Sequence, residues 1–344
     1  MSSAGLLPSP AVAAVTRDAE WLAHRYDPDH DAFHYRRVSR PRHAQVPFLT
    51  DELLGDADRT PVLARAGAAD ATPPGELRFI FHSAFCASTM LARASDRPGV
   101  SMGLSEPVLL NDMVGWRRRG ADVRLHGRVL SDVLAQLARP FSPGEAVVVK
   151  PSNVVNPLAA AMLALRPEAR AVLLYAPLPV FLASVARKGL WCRLWCRELL
   201  EGYLQDGFVD LGFEVRDYFR QTDLQVAAVG WLAQHAWFAS LARRFGPKRI
   251  ATLDSERLTG APAETVAAVA RFYGLPAPRA EERVGAAIAR NSKTGRSFAP
   301  GERDEEQRAA RAAHGDEIDK VLVWAEAVAG NAGIVLDAPS PLPA

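Results

Sequence analysis

The chain has 344 residues, 49% of them hydrophobic, and carries 41 basic against 39 acidic side chains, a formal charge of +2. That length buries a substantial core, enough for about two domains or one large domain with appendages. The near balance of charge argues against a dedicated nucleic-acid binder, and no run approaches the ~18 uninterrupted apolar residues of a membrane span.

The first fifteen residues are mildly apolar, lack a basic segment ahead of the apolar run, and are interrupted by Pro8 and Pro10. They read as a frayed tail rather than a signal peptide. Residues 17–65 read as a small prefix with apolar anchors at Trp21, Leu22, Phe33, Tyr35, Val46, Phe48 and Leu49. Asp27, Asp29 and Asp31 alternate near His30 and His34 but lack the glycine and terminal glutamate of a calcium loop, so a polar turn is expected there and no metal. Residues 66–75 are small, proline-containing and unpatterned, as in a linker. Residues 1–70 are therefore expected to form an N-terminal appendage, ahead of a main α/β domain over 71–300.

The organising stretch is Leu77–Ala94. An apolar run, Leu77 to Phe81, is broken only by Arg78. Small and polar residues follow from His82 to Thr89, and then Met90, Leu91 and Ala94 recur at helical spacing: strand, tight loop, helix. A loop of this kind presents unpaired backbone N–H groups to an anion at a helix start, where the Ser88 and Thr89 hydroxyls can cap the helix or face the ligand. Against the phosphate-loop pattern Gly-x-x-x-x-Gly-Lys-Ser/Thr the chain reads His82, four residues, Ala87, Ser88, Thr89. Both glycines and the lysine are missing, which disfavours an ordinary ATP or GTP hydrolase.

Ser101–Leu104 leads into Ser105-Glu106-Pro107 and a helical pattern through Met113. Val123–Leu137 is an amphipathic helix. Ala146–Val149 is a buried strand stopping at Lys150-Pro151-Ser152-Asn153, followed by a helix over Pro157–Leu165. Ala171–Tyr175 is a second buried strand, and Arg249–Leu253 a third ahead of a helix that ends at Tyr273-Gly274. Continuous apolar strands alternating with helices predict an α/β fold: a three-layer α/β/α arrangement around a mainly parallel sheet. Ligands of such sheets bind beyond the C-terminal strand ends.

Residues 180–245 are helical in pattern and hold Trp191, Trp195, Trp231 and Trp237 with Arg187, Lys188, Arg193 and Arg197. They form either a helical layer with an aromatic core and solvated arginines, or a cap facing a substrate; a homodimer interface is a further use for such a surface. Residues 291–298 form a polar loop holding Lys293 and Arg296 around Gly295. Residues 302–329 are a charged, Ala-rich helix with a break near Gly315, and Pro339–Ala344 is expected to be disordered. Cys86, Cys192 and Cys196 are odd in number and form no disulfide framework, which fits a reducing, cytoplasmic compartment. Cys192 and Cys196, four apart without a second pair, are helix-face or core thiols rather than zinc ligands.

Taken in order, these pieces resemble the sulfotransferases that use 3′-phosphoadenosine-5′-phosphosulfate, relatives of the phosphate-loop kinases, over about residues 77–297. The resemblance implies a phosphate-loop-like α/β domain with a helical cap around 180–245. It implies that Ser83, Phe85, Cys86, Ala87, Ser88 and Thr89 contribute to the loop that holds the 5′-phosphosulfate. Ser184 would touch the 3′-phosphate, and Lys293 and Arg296 would approach the same phosphate. The chain departs from the family where Phe85 replaces the loop's basic residue and where Tyr175 or Ala176 replaces the arginine paired with the serine. Arg187, Lys188, Lys150 or the Lys293/Arg296 pair are the cations available as substitutes.

Sulfuryl transfer requires positive partners and N–H donors on the sulfuryl oxygens, a base within about 3 Å of the acceptor, and exclusion of water. Glu106 is the first candidate base and His82 the second, with Lys150 as a charge at the neighbouring strand end. The acceptor would be a small-molecule hydroxyl or amine. Two alternatives stand beside this reading: a catalytically degenerate nucleotide- or anion-binding protein of the same fold, and a kinase-like phosphotransferase.

Overall fold

The computed structural model describes residues 9–55, 61–72, 75–208, 210–278 and 302–343. Three strands, β1 (Trp21–Asp27), β2 (Ala32–Arg37) and β3 (Val62–Ala64), form an antiparallel sheet in the order β1-β2-β3. Five more, β4 (Leu77–His82), β5 (Ser101–Ser105), β6 (Ala146–Lys150), β7 (Arg170–Tyr175) and β8 (Ile250–Asp254), form a parallel sheet in the order β5-β6-β4-β7-β8, flanked by helices. The expected α/β class is thus present. Every residue of β4 and β6 is buried, as their apolar runs require of strands covered on both faces. The first strand of the sheet, β4, is also its central one. The chain leaves β4 for β5 on one side and later adds β7 and β8 on the other, so the topology reverses at the loop that follows β4.

The chain divides into two compact units. One runs through Phe81, resumes over Thr89–Ala171 and takes in Tyr273–Pro276; the other comprises His82–Ser88, Val172–Phe272 and the chain from Ala277 onward.

In the first unit the prefix is built into the α/β layer by polar clamps. Arg25 grips Asp112 with Nε and Nη2, at 2.9 and 2.7 Å, on the helix Val108–Arg118. Arg65 bridges Asp31 and Asp132 at 2.7 and 2.6 Å, and the Tyr35 hydroxyl donates to Gln136 at 2.8 Å. The Arg139 guanidinium is buried against the carbonyls of Val15, Thr16, Asp18 and Trp21. Asp132, Gln136 and Arg139 lie on or just after the helix Val123–Leu137, which has the expected bounds. The aspartates 27–31 form the expected polar turn, in which the Asp27 carboxylate accepts from the Asp29 amide at 2.9 Å. The stretch expected to be a linker is instead opened by the helix Arg65–Ala71. Gly75, which closes that stretch, has a steric reason, because a Cβ there would lie 1.8 Å from the Ala138 carbonyl oxygen. Arg78, the one break in the apolar run of β4, is buried and donates to the Tyr273 carbonyl at 3.0 Å, while the Tyr273 hydroxyl donates to the Phe79 carbonyl at 2.8 Å. Those bonds anchor the end of the helix Pro262–Tyr273, and Gly274 turns the chain out of it at φ 74°.

In the second unit the helices Leu178–Arg187, Leu190–Gln205 and Asp223–Phe245 accompany β7 and β8. Asp223–Phe245 starts from a Thr222/Gln225 capping box, stops at Gly246 and buries Trp231, whose indole N–H donates to the Ala176 carbonyl at 2.8 Å. Two expectations need correction. The helix Glu302–Asn331 continues through Gly315 without a break. A glycine inside a helix costs only about 1 kcal/mol, and the packing of this helix on Leu178–Arg187 and Asp223–Phe245 exceeds that cost. The segment Pro339–Pro343, expected to be disordered, runs along β8. Thr252 donates its amide to Ser340 and its hydroxyl to Pro339, and accepts from the Leu342 amide, each at 2.8 Å. Leu342 is buried there.

Candidate functional site

The loop after β4 has a backbone its residue types do not favour. Ala84, Phe85 and Ala87 have φ of 70°, 52° and 60°, the left-handed region that disfavours a Cβ by about 1–2 kcal/mol per residue. Ser83 holds the loop in this shape. Its amide donates to the Leu174 carbonyl at 3.0 Å, and its hydroxyl accepts from the Ala176 amide at 3.2 Å, fastening the loop to the end of β7. His82 adds an internal brace: its Nδ1 accepts from the Ala84 amide at 3.1 Å. An amide can only donate, so the neutral ring carries its proton on Nε2. His82 therefore carries that proton on Nε2 in this arrangement.

Left-handed residues within a tight turn can bring backbone N–H groups into a common concavity, the form of an anion nest. Cys86 is fully buried, so only its backbone can contribute to such a nest. The helix Ser88–Ala94 follows directly. Ser88 is 7% exposed and Thr89 5%, and among the described residues neither hydroxyl makes a hydrogen bond. The Phe85 ring lies 5.8 Å from Phe181 and 5.7 Å from Trp195, between centroids, and the Lys188 ammonium is 5.6 Å from its centre.

In the first unit a second arrangement occupies the C-terminal ends of β5 and β6. Lys150 is fully buried and paired with the Glu106 carboxylate. Glu106 stands at φ 49°, and its amide donates to the Lys150 carbonyl at 2.6 Å. Phe48 lies over the ammonium at 4.7 Å from ring centre to Nζ. The strand end is strapped by the prefix, since the Leu49 amide donates to the Ser105 carbonyl at 2.8 Å and the Val108 amide to the Leu49 carbonyl at 3.3 Å. Glu106 and Lys150 are thus brought together, as two of the residues singled out for chemistry. Phe48 was legible in the sequence only as an apolar anchor, because nothing local ties a residue of the prefix to a lysine a hundred positions later.

The remaining candidates fall elsewhere. The Ser184 hydroxyl donates to the Val180 carbonyl at 2.9 Å and accepts from Gln307 at 3.2 Å, so it is engaged within its own helix layer. Lys293 and Arg296 lie outside the described residues. Tyr175 packs edge-on against His235 at 5.4 Å; burial, with Asp254 and Asp337 nearby, pushes its hydroxyl up to about 12. Arg187, Arg193 and Arg197 are paired with Glu306, Glu317 and Asp223 at 2.7–3.0 Å. Of the tryptophans, Trp231 is core, Trp195 stands against the loop, and Trp191 is 61% exposed. Among the described residues no group of three or more His, Cys, Asp or Glu side chains could hold a metal ion, and no helix is long and apolar enough to cross a membrane.

No protein-family model matches the chain, and no curated protein does. Solved structures do. A sulfotransferase domain from the curacin biosynthetic pathway aligns at 13% identity and a TM-score of 0.40, over 71% of this chain and 98% of that one. The sulfotransferase domain of an olefin synthase from Synechococcus PCC 7002 aligns at 12% identity and 0.39, over 67% and 82%. Sulfotransferase STF9 from Mycobacterium avium aligns at 12% identity and 0.42, over 73% and 78%. Likenesses of this size carry no argument about the activity of this chain.

Proposed function

We propose that this protein binds a phosphoadenosine-type nucleotide at the loop 82–89 and transfers a sulfuryl group to a small-molecule hydroxyl or amine. The observation that carries the reading is the left-handed loop at the end of the central strand, leading into Ser88 and Thr89, whose hydroxyls make no hydrogen bond among the described residues. An anionic group fits there: the backbone N–H groups of residues 85–88 with the hydroxyls of Ser88 and Thr89 would hold the 5′-phosphosulfate of 3′-phosphoadenosine-5′-phosphosulfate. When bound, that nucleotide supplies the sulfuryl group. The chain's own part is to donate hydrogen bonds to oxygens that gain charge, for which the loop amides are suited. Glu106, a carboxylate set against the Lys150 ammonium, is the group assigned to take the acceptor's proton.

The test is thermal stabilisation of the full chain by adenosine 3′,5′-bisphosphate, compared with ATP and magnesium. A ligand at a hundred times its dissociation constant stabilises by about 2.7 kcal/mol. The bisphosphate should raise the midpoint, and Ser88→Ala or Thr89→Ala should weaken its binding by about 1–3 kcal/mol. Glu106→Gln should retain binding and lose turnover. A shift with ATP and magnesium alone would replace this reading with a phosphotransferase. Binding without turnover on any acceptor would leave a degenerate binding protein.

A further inference from the structure

The loop 82–88 reads His-Ser-Ala-Phe-Cys-Ala-Ser and holds no lysine or arginine. Backbone amides alone leave a multiply charged anion under-neutralised in a partly desolvated site, so a cation is needed from another element. The helices that frame the Phe85 ring supply one. Phe181 lies on Leu178–Arg187 and Trp195 on Leu190–Gln205. The turn joining those helices is Lys188-Gly189, in which Lys188 closes the first helix and Gly189, at φ 73°, redirects the chain into the second. Phe85 therefore meets three groups of one hairpin: two aromatic rings at 5.8 and 5.7 Å and the Lys188 ammonium at 5.6 Å.

We propose that Lys188, seated on the ring of Phe85, is the cation that serves the anion in this loop. The inference rests on the nucleotide reading above and adds to it the source of the positive charge. Phe85 then has two tasks. Its left-handed backbone helps shape the nest, and its ring holds the ammonium beside the loop by a cation–π contact. The arrangement also explains how a loop can keep a bulky aromatic at a position of positive φ: the ring gains packing on Phe181 and Trp195 that offsets backbone strain.

The experiment is calorimetric titration of the full chain with adenosine 3′,5′-bisphosphate at two salt concentrations, for wild type, Lys188→Met, Lys188→Gln, Lys188→Arg and Phe85→Leu. Loss of one charge-assisted contact predicts weakening by about tenfold or more in both neutral variants, with a shallower salt dependence. Lys188→Arg should bind within about threefold of wild type because it keeps the charge. Phe85→Leu should fall between, since the ammonium remains but loses its seat. Two neutral variants guard against one that folds poorly, and melting midpoints are recorded for all. Titration of both neutral variants like wild type, while Ser88→Ala weakens binding, overturns the Lys188 assignment and leaves the loop reading intact. A lower midpoint with unchanged affinity does the same, by making Lys188 structural. Absence of bisphosphate binding in wild type overturns both together.

Discussion

The pair at the ends of β5 and β6 predicts an asymmetry that tests how its two charges are solvated. The Lys150 side chain is 1% exposed and the Glu106 side chain 19%. Replacing Glu106 by alanine removes a carboxylate from beside an ammonium held away from water, whereas replacing Lys150 by methionine removes the ammonium from beside a carboxylate that is open to water at one edge. Removing one partner of a buried pair costs about 3–5 kcal/mol when the remaining charge stays buried. An exposed pair is worth about 0.2–1 kcal/mol. Glu106→Ala is therefore expected to destabilise by about 3 kcal/mol or more, and Lys150→Met by about 1 kcal/mol, its methylenes retaining contact with Phe48. A third variant separates charge from backbone. Glu106 stands at φ 49°, so Glu106→Gly should recover about 1 kcal/mol relative to Glu106→Ala. Urea unfolding followed by fluorescence and by far-ultraviolet dichroism, at one pH and salt, reads all three. Equal costs for Glu106→Ala and Lys150→Met, or a larger cost for the lysine variant, would refute the claim that the ammonium is the trapped charge.

Three other outcomes follow. Ala87→Gly should stabilise by about 0.5–1 kcal/mol, because glycine removes left-handed strain greater than its own entropic cost; a loss of stability in urea would show that φ 60° is not the resting backbone. Burial lowers the His43 imidazole to about 4, so it folds neutral, and the stability present above its ordinary value of 6.5 is lost as pH falls toward 4. For that residue the loss by pH 5 is about 2 kcal/mol. His43→Phe should flatten the profile between pH 7 and 5, and an unchanged profile would assign acid sensitivity elsewhere, His24, His126 and His235 being lowered by burial in the same direction. Leu342→Ala should cost about 2 kcal/mol by denaturation, and a negligible cost would detach the tail from β8.

Much of the architecture is local information, and the sequence by itself carries it. Apolar runs such as Ala146–Val149 and Ala171–Tyr175, bounded by turn residues, read as strands covered on both faces, and the 3.6-residue period of Val123–Leu137 marks that helix. Local chemistry also places the loop 82–89 between a strand and a helix. Other features have no local signal, because each arises where distant segments meet. The left-handed backbone of Ala84, Phe85 and Ala87 runs against residue preference and is imposed by hydrogen bonds from Ser83 to β7. Proline content suggested a loose tail, yet edge pairing with Thr252 orders Pro339–Pro343. The burial of Lys150 against Glu106 and Phe48, and the seat of Lys188 on Phe85, join residues that only tertiary packing brings together. Periodicity encodes which face of an element is apolar. Which charge meets which ring is decided by long-range contacts that no window of sequence contains.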